Sequence, residues 1–267
     1  MAEADVNLLD VDAIETYLKT KFIGKKIVLY KSTSSTNDIA AEYAKAGAVN
    51  NGLVVLAEEQ SRGRGRRGHR WFGGAGRSVL CSVLLFDVGI PLELVSLGVS
   101  VGVAEAVSRV AGRPAGIKWP NDIFINGKKV GGILIERFGR GGNYIVGIGV
   151  NCNQSSEELG EQLQGIATSI DIESGLCCER DRLVGCLLQS VEKWILAAAK
   201  GADVVVRRWG QLSVLLGRRV KVEFDRKQFT GNCIGVDPVR GLILQLDRGG
   251  VRIFDAAQTS ILAFGDF

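Results

Sequence analysis

Histidine is almost missing from this sequence of 267 residues, which contains only His69. The six cysteines are scattered, and no two of them have the C-x-x-C spacing. A zinc site is therefore not expected, because zinc needs clustered sulfur and imidazole ligands. A disulfide framework is not expected either, since a chain of this length with 46% hydrophobic residues can build its own core. We interpret the cysteines as free thiols in a reducing cytosol.

Long apolar runs are also lacking. The longest apolar stretch, near residues 94–104, is interrupted by Ser96 and Ser100 and is too short to span a bilayer. The N-terminal residues MAEADVNLLD are acidic and lack the basic and apolar pattern of a secretory signal. These features predict a cytoplasmic protein that does not associate with a membrane.

Positive charge is present but is concentrated in one segment. The net charge is +4, and five arginines lie within residues 62–70, so the rest of the chain is close to neutral. A protein that coats a nucleic-acid duplex spreads its Lys and Arg over a face, whereas one compact cluster suits a small anionic ligand. In GRGRRG (63–68), glycine lets backbone amides approach an anion, and arginine contacts phosphate or carboxylate. On composition alone, a solvated linker or an RNA-binding arm fits this segment equally well.

Two further features have both a chemical and a plain structural explanation. Lys118 in KWPND (118–122) lies between a strand and a proline turn, and a fixed ammonium suits a phosphoryl- or acyl-transfer transition state. The plain alternative is a β-turn with a buried Trp119. Glycine pairs at 131–132 and at 147 and 149 weaken strands, which is tolerated where a ligand or another chain comes close. The plain alternative is a bulge or tight strand packing.

Hydrophobic periodicity predicts a larger α+β part followed by a strand-rich tail. Short turns between the central strands favour an antiparallel or mixed sheet. Short strands at regular spacing after Leu216 favour a small β-barrel, and we predict domains at 1–212 and 213–267. The predicted helices are 12–21, with Asp12 as its cap, then 36–47, 92–111 and 157–209, and the predicted strands are 27–30, 52–59, 78–86, 116–119, 122–126, 129–138 and 144–151.

Five segments together resemble the successive motifs of biotin–protein ligases: SSTND (34–38), EEQSRGRGRRGHRW (58–71), KWPNDI (118–123), KVGGILIE (129–136) and VGIGVNCN (146–153). The resemblance runs from about residue 27 to 153, and the tail is similar to the small SH3-like C-terminal domain of that family. It implies a central mixed β-sheet flanked by helices, as in class II aminoacyl-tRNA synthetases and biotin ligases, plus an SH3-like β-barrel.

The resemblance also implies an activity. Enzymes of this family convert biotin and MgATP to biotinyl-5′-AMP and pyrophosphate, and then transfer biotin to one lysine of a biotin carboxyl carrier protein. The expected partner is a carrier subunit of an acetyl-CoA-type carboxylase. No metal site is expected in the protein itself, since Mg²⁺ arrives with ATP.

Site residues follow from matching positions in the motifs. Arg64 is expected to position the biotin carboxylate, Arg66 to neutralise phosphate and Lys118 to bridge the two, and these three are the expected catalytic residues. Trp71 is expected against the adenine, with Asn151 as a weaker nucleotide contact. The expected biotin contacts are Ser35, Thr36, Asn37, Gln60, Arg64, Gly65, Arg66 and Lys118, and Gly131 and Gly132 are expected to let the ligand approach the strands.

Two departures from the family pattern are visible. His69 stands where the family often has an arginine, which puts a phosphate contact at that position in doubt. The first predicted strand begins at residue 27, which leaves too little chain before it for the N-terminal helix-turn-helix of some members. We therefore expect a monofunctional ligase that does not bind DNA, and an exposed sheet edge could support a homodimer.

Two alternatives remain open at this point. Lipoate ligases have a related fold and the same two-step logic, although the arginine–glycine segment favours biotin. A non-enzymatic RNA-binding module would use residues 62–70 as a basic arm, and its RNA binding would be sensitive to salt.

Overall fold

A mixed seven-stranded sheet forms the centre of the protein. The structure is a computed structural model that describes residues 8–71, 73–160, 163 and 165–265. The strand order is β1-β2-β3-β7-β6-β5-β4; β1 and β2 are parallel and the other neighbours antiparallel, which confirms the predicted mixed sheet. The strands are β1 (Ile27–Tyr30), β2 (Val54–Ala57), β3 (Ser78–Leu85), β4 (Ala115–Lys118), β5 (Asp122–Ile125), β6 (Lys128–Arg137) and β7 (Tyr144–Asn151).

Helices cover both faces of this sheet. Alternate side chains of β2, β3 and β7 point to opposite faces of the sheet. On one face they form the main core with α3 and α5, and on the other they form a smaller core with α2. This alternation is what the two-residue period of a strand requires when both faces are buried. The helices are α1 (Val11–Tyr17), α2 (Thr36–Ala44), α3 (Leu92–Ala111), α4 (Ile170–Ser174), α5 (Arg180–Lys200) and α6 (Ala202–Leu212).

The helix α3 is apolar nearly all round because it is the core helix. Of the helices in the described part of the chain, it is the one long and apolar enough to cross a membrane by length and composition. Most of its length is buried in the protein, and it packs closely on α5. Gly102 makes this close approach possible, since a Cβ there would lie 2.9 Å from the carbonyl oxygen of Ser190.

A second, antiparallel sheet follows α6. Its strands are β8 (Arg219–Phe224), β9 (Lys227–Asp237), β10 (Gly241–Leu246), β11 (Val251–Phe254) and β12 (Thr259–Phe264), in the order β11-β10-β9-β8-β12. It is consistent with an SH3-like domain, although over residues 165–265 the end strands β11 and β12 do not pair to close a barrel. The predicted domain boundary coincides with the end of α6 and stays a prediction.

Two sequence-based predictions about helices are wrong. The cap of α1 is Asp10, whose carboxylate accepts from the amides of Asp12 (2.9 Å) and Ala13 (3.4 Å), and the helix ends at Tyr17. The helix predicted over 157–209 does not begin at 157, because the described residues before α4 form turns with Gly160 and Gly165 at positive φ. Residues 161, 162 and 164 of that prediction lie outside the described residues.

Candidate active site

A cavity of about 320 Å³ lies on the α2 face of the central sheet, between the loop of residues 60–71 and the edge of the second sheet. Its volume is at the lower end of the range for small-molecule sites. It brings together residues from β4, β6, β7, β12, α2 and the arginine-rich loop. The predicted site residues that line it are Ser35, Thr36, Asn37, Gln60, Arg64, Gly65, Arg66, Trp71, Lys118 and Gly132.

Buried hydrogen bonds fix the polar end of the cavity at the start of α2. Gln60 Oε1 accepts from the backbone amide (2.6 Å) and the hydroxyl (3.1 Å) of Thr36. The hydroxyl of Ser82 lies 2.7 Å from that of Thr36 and donates to Asn37 Oδ1 at 2.6 Å. Asn37 in turn donates to Glu136 Oε2 at 2.5 Å. Because each partner is held by another, these groups are in place before any ligand arrives.

Glycines in the strands make room for site side chains. A Cβ on Gly147 would lie 2.5 Å from Asn37 Oδ1, and one on Gly149 would lie 2.5 Å from Cε2 of Trp71. A Cβ on Gly132 would lie 3.0 Å from Cζ3 of the same indole. These glycines therefore make room for Asn37 and Trp71, whose side chains line the cavity together with Gly132. Gly131, predicted beside the ligand, does not line the cavity; a Cβ there would meet the carbonyl oxygen of Gly149 at 3.1 Å.

Trp71 lies flat against this glycine surface. Its ring centroid is 5.8 Å from the ammonium of Lys129. Its indole nitrogen is buried and has no hydrogen-bond partner in the described part of the chain. A buried N–H donor is expected to find a partner, so a ligand group that reaches the indole would satisfy this donor.

Arg64 is engaged by carboxylates of the protein. It donates to both oxygens of Asp38, at 2.7 and 3.0 Å, and lies 3.6 Å from Glu136 Oε1. The Arg64 guanidinium beside Asp38 lowers the pKa of that carboxyl. The arginine expected to contact the biotin carboxylate is thus already bound, in this structure, to the start of α2 and to β6.

Arg66 crosses from the loop towards the second sheet. It donates to Asn121 Oδ1 at 3.3 Å and to the carbonyl oxygen of Ala256. Burial lowers the pKa of Arg66, although a guanidinium remains charged at neutral pH. His69 is exposed and lines the rim of the cavity, so the structure places this departure from the family pattern next to the ligand space.

Lys118 presents a half-buried cation to the cavity at the end of β4. Its ammonium lies 5.4 Å from the ring centroid of Phe124 and 5.3 Å from that of Phe264. Burial lowers the pKa of Lys118; the carboxylate of Asp122 opposes this shift and the charge of Lys129 adds to it. Asp122 is ion-paired with Lys129 at 2.5 Å, which leaves Lys118 to face the cavity.

Asn151, a predicted nucleotide contact, lies outside the cavity. Its amide donates to the carbonyl oxygen of Thr168 at 3.0 Å and its side-chain oxygen accepts from Gln154 at 3.3 Å. The side chain is buried. In this structure Asn151, at the end of β7, thus makes its hydrogen bonds to the interior of the protein, and its predicted contact with the nucleotide stays a prediction.

Sequence reasoning missed several residues of the site. Asp38, Asn121 and Asp122 lie inside the quoted motifs, and this position in the sequence could have indicated that they belong to the site. Nothing in the sequence around Ser82 or β12 indicates a site residue, because sheet pairing and the position of the second sheet place these residues at the cavity. No group of three or more His, Cys, Asp or Glu side chains that could hold a metal ion occurs among the described residues. The missed residues that line the cavity or contact its side chains include Asp38, Ser82, Asn121, Asp122, Lys129, Glu136 and 259–261.

Comparison with known proteins identifies the family of the chain. The profile of the Biotin/lipoate A/B protein ligase family matches residues 29–153. The bifunctional ligase/repressor BirA of Bacillus subtilis is 32% identical, over 90% of this chain and 75% of the relative. The biotin–[acetyl-CoA-carboxylase] ligase of Mycobacterium tuberculosis is 28% identical over 94% of each chain.

Solved structures agree as well. The biotin protein ligase of Aquifex aeolicus in complex with biotin and ATP is 26% identical and has a TM-score of 0.77, over 89% of this chain and 98% of the relative. Its fold therefore includes both sheets described above. From the family profile, the relatives and the fold, we conclude that this chain belongs to the Biotin/lipoate A/B protein ligase family.

Proposed function

We propose that the protein is a biotin–protein ligase. It activates biotin with ATP to biotinyl-5′-AMP and then transfers biotin to a lysine of a biotin carboxyl carrier protein. The observation that carries this proposal is the convergence, in one cavity, of a fixed polar pocket, an arginine loop and Lys118. The Aquifex relative was solved with biotin and ATP, the two substrates of the first step.

Biotin has an apolar ring system with a polar ureido group at one end and a carboxylate at the other. The side chains of Thr36, Asn37 and Gln60 offer donors and acceptors to the ureido group at the start of α2. Leu80 and Leu134 supply apolar walls of the cavity. Apolar walls combined with a few fixed polar groups are the usual form of a small-molecule site.

In the first step, a carboxylate oxygen of biotin attacks the α-phosphorus of ATP, and the bond to pyrophosphate breaks. Lys118 bridges the carboxylate and the α-phosphate, and Arg66 offsets phosphate charge; both act as fixed cations in a partly desolvated site. Arg64, bound to Asp38 and Glu136 beside the start of α2, lies at the ureido end of this pose, so its expected contact with the biotin carboxylate requires the guanidinium to leave these partners. Trp71 covers the adenine and offers its indole N–H.

In the second step, the lysine amine of the carrier attacks the biotinyl carbonyl and AMP leaves. Lys118 again offsets the charge that develops on the leaving phosphate. Mg²⁺ would enter with ATP as the MgATP complex and would offset part of the phosphate charge; Asp122, a carboxylate that lines the cavity, is paired with Lys129. We place the reaction in the cytoplasm, with a carrier domain of a biotin-dependent carboxylase as the protein partner.

The test is direct. The protein is incubated with biotin, MgATP and a carrier domain, and the carrier is examined by intact mass. A mass increase equal to one biotin is expected, and none when the acceptor lysine of the carrier is replaced by arginine. A carrier that stays unmodified, or one that takes lipoate in preference to biotin when the two acids compete, would contradict the proposal.

The variant Lys118→Ala tests whether this cavity carries out adenylate formation. Lys118→Ala should lower the rate of adenylate formation by about 10²–10³-fold, the usual cost of removing one charge-stabilising group. Its circular dichroism and melting temperature should stay close to those of the wild type, because Lys118 is only half-buried. A Lys118→Ala enzyme with normal rates would exclude this lysine from the reaction.

A further inference from the structure

The arginine-rich loop is attached to both sheets of the molecule. Its first half is bound to the central sheet region through Arg64, which contacts Asp38 and Glu136. Its second half is bound to the second sheet through Arg67, which donates to the hydroxyl of Ser260 and, at 3.2 Å, to the carbonyl oxygen of Ala257. These contacts join residues about 190 positions apart in the chain. The loop therefore spans the cavity from one sheet to the other.

The backbone at Arg67 supports a specific role for its side chain. Arg67 has φ 54° and ψ 31°, a left-handed conformation that residues other than glycine adopt infrequently. Gly68 follows with φ 78°. An uncommon conformation persists when surrounding contacts hold it, and the contacts of Arg67 with the second sheet are such contacts.

We propose that Arg67 is a positioning residue that keeps the loop closed over the biotinyl-adenylate. The hydrogen bonds from Arg67 to Ala257 and Ser260 are called the arginine clasp. This inference rests on the proposed function and extends it to the second sheet. A mixed anhydride is lost if it leaves the cavity or if water attacks it. Without Arg67, the described contact of the loop with the second sheet is that of Arg66 with the carbonyl oxygen of Ala256. The loop would then separate more readily from β12, where Thr259, Ser260 and Ile261 line the cavity.

The exposure of the clasp fits this task. Arg67 and Ala257 are exposed and Ser260 is half-buried, so each hydrogen bond competes with water. A clasp of modest strength slows the escape of the intermediate and still opens when the carrier lysine must enter. Buried contacts of the same kind would open far less often.

The experiment measures retention of the intermediate. Labelled biotinyl-AMP is formed on the full-length enzyme without carrier, excess unlabelled biotin and ATP are added, and release of label is followed by rapid filtration. Arg67→Ala and Ser260→Ala should each speed release about three- to tenfold, as expected for one or two exposed hydrogen bonds. Arg67→Lys, which keeps the charge and one donor, should lie between the wild type and Arg67→Ala.

A double-mutant comparison separates the clasp from a direct contact between Arg67 and phosphate. If Arg67 acts through Ser260, the double variant should release label no faster than Arg67→Ala alone. Additive effects would overturn the clasp. The single-turnover rate of adenylate formation should change much less than the release rate, whereas a general structural defect would lower both.

The control is Arg62→Ala, which removes the same charge from the start of the same loop. It should release label as slowly as the wild type, so equal acceleration in this variant would overturn the proposal. A second readout needs no activity: amide hydrogen exchange of residues 62–71 in the ligand-free protein. Exchange should be faster in Arg67→Ala and Ser260→Ala but not in Arg62→Ala. Unchanged exchange in the first two variants would overturn the clasp. If the wild type formed no adenylate, the proposed function would be refuted, but the exchange measurement would still test the clasp.

Discussion

Lys118 illustrates how burial prepares a charged group for chemistry at the scale of one residue. Its ammonium lies between the rings of Phe124 and Phe264, and burial lowers its pKa. A cation that has lost part of its hydration interacts more strongly with the negative charge that develops at phosphate than a solvated cation does. The same burial makes the charge easier to lose at high pH.

The pH dependence of adenylate formation follows from this pKa. The reaction requires protonated Lys118, so its rate should fall as the pH rises through a pKa that lies below the value of about 10.4 of a free lysine. The value of kcat/KM for ATP between about pH 7 and pH 11 measures this alkaline limb, because it reports the pKa of the enzyme before ATP binds. Lys118→Arg should lose the limb, because a guanidinium keeps its charge across this range. A limb at the free-lysine value, or one that coincides with unfolding followed by circular dichroism, would contradict the expectation.

Substitutions at two glycines of β7 should affect the binding of ATP and of biotin separately. Gly149→Ala places a Cβ 2.5 Å from Trp71, whereas Gly147→Ala places one 2.5 Å from Asn37. We expect the first variant to raise the KM for ATP and the second to raise the KM for biotin. Each change should be about tenfold, which equals ~1.4 kcal/mol and is within the usual cost of overpacking. Each variant is the control of the other, and equal effects on both substrates would show that the glycines act on the strand as a whole.

At the scale of elements, strong hydrophobic periodicity predicted helix bounds correctly, whereas turns at glycines with positive φ were not predicted from the sequence. The helix α3 was predicted with its observed bounds, since its apolar residues recur at helical spacing over 20 residues. The composition of residues 157–169 is compatible with a helix, but Gly160 and Gly165 have positive φ, and described residues beside them form turns. The contacts of Asp38 with Arg64 and of Ser82 with Asn37 could not be predicted, because they depend on how α2 lies on the sheet. The motif residues of the cavity could be predicted because they match successive motifs of the family.

The packing of α3 on α5 gives a prediction about stability. Gly102→Ala should destabilise the protein, because its Cβ would lie 2.9 Å from the carbonyl oxygen of Ser190, a backbone atom that cannot move aside. Overpacking costs about 1–3 kcal/mol, more than the ~1 kcal/mol that alanine gains over glycine in a helix. Gly210→Ala in α6 is the matched control, since its Cβ would make an ordinary 3.5 Å contact with Leu216. Urea unfolding should show Gly102→Ala below the wild type and Gly210→Ala equal to it or above, and the reverse order would contradict the packing argument.

At the scale of the whole molecule, the second sheet completes the site that the central sheet begins. Phe264 of β12 packs against Phe124 at 6.4 Å between ring centroids and covers Lys118. Residues 259–261 line the cavity, and Ala256, Ala257 and Ser260 accept hydrogen bonds from the loop. A change in the second sheet should therefore alter the chemistry of a lysine on the first.

Phe264→Ala tests this connection through the pH profile. Removing the ring should let water reach the ammonium of Lys118, and because burial is the main cause of its lowered pKa, the alkaline limb should move to higher pH. The lost cation–π contact acts in the opposite direction, but such a contact contributes only about 0.5–1 kcal/mol where water has access, and the ring of Phe124 remains. Leu262→Ala is the control on the same strand, because Leu262 is 46% exposed. A limb that stays in place in Phe264→Ala, or moves to lower pH, would mean that the second sheet does not set the environment of Lys118.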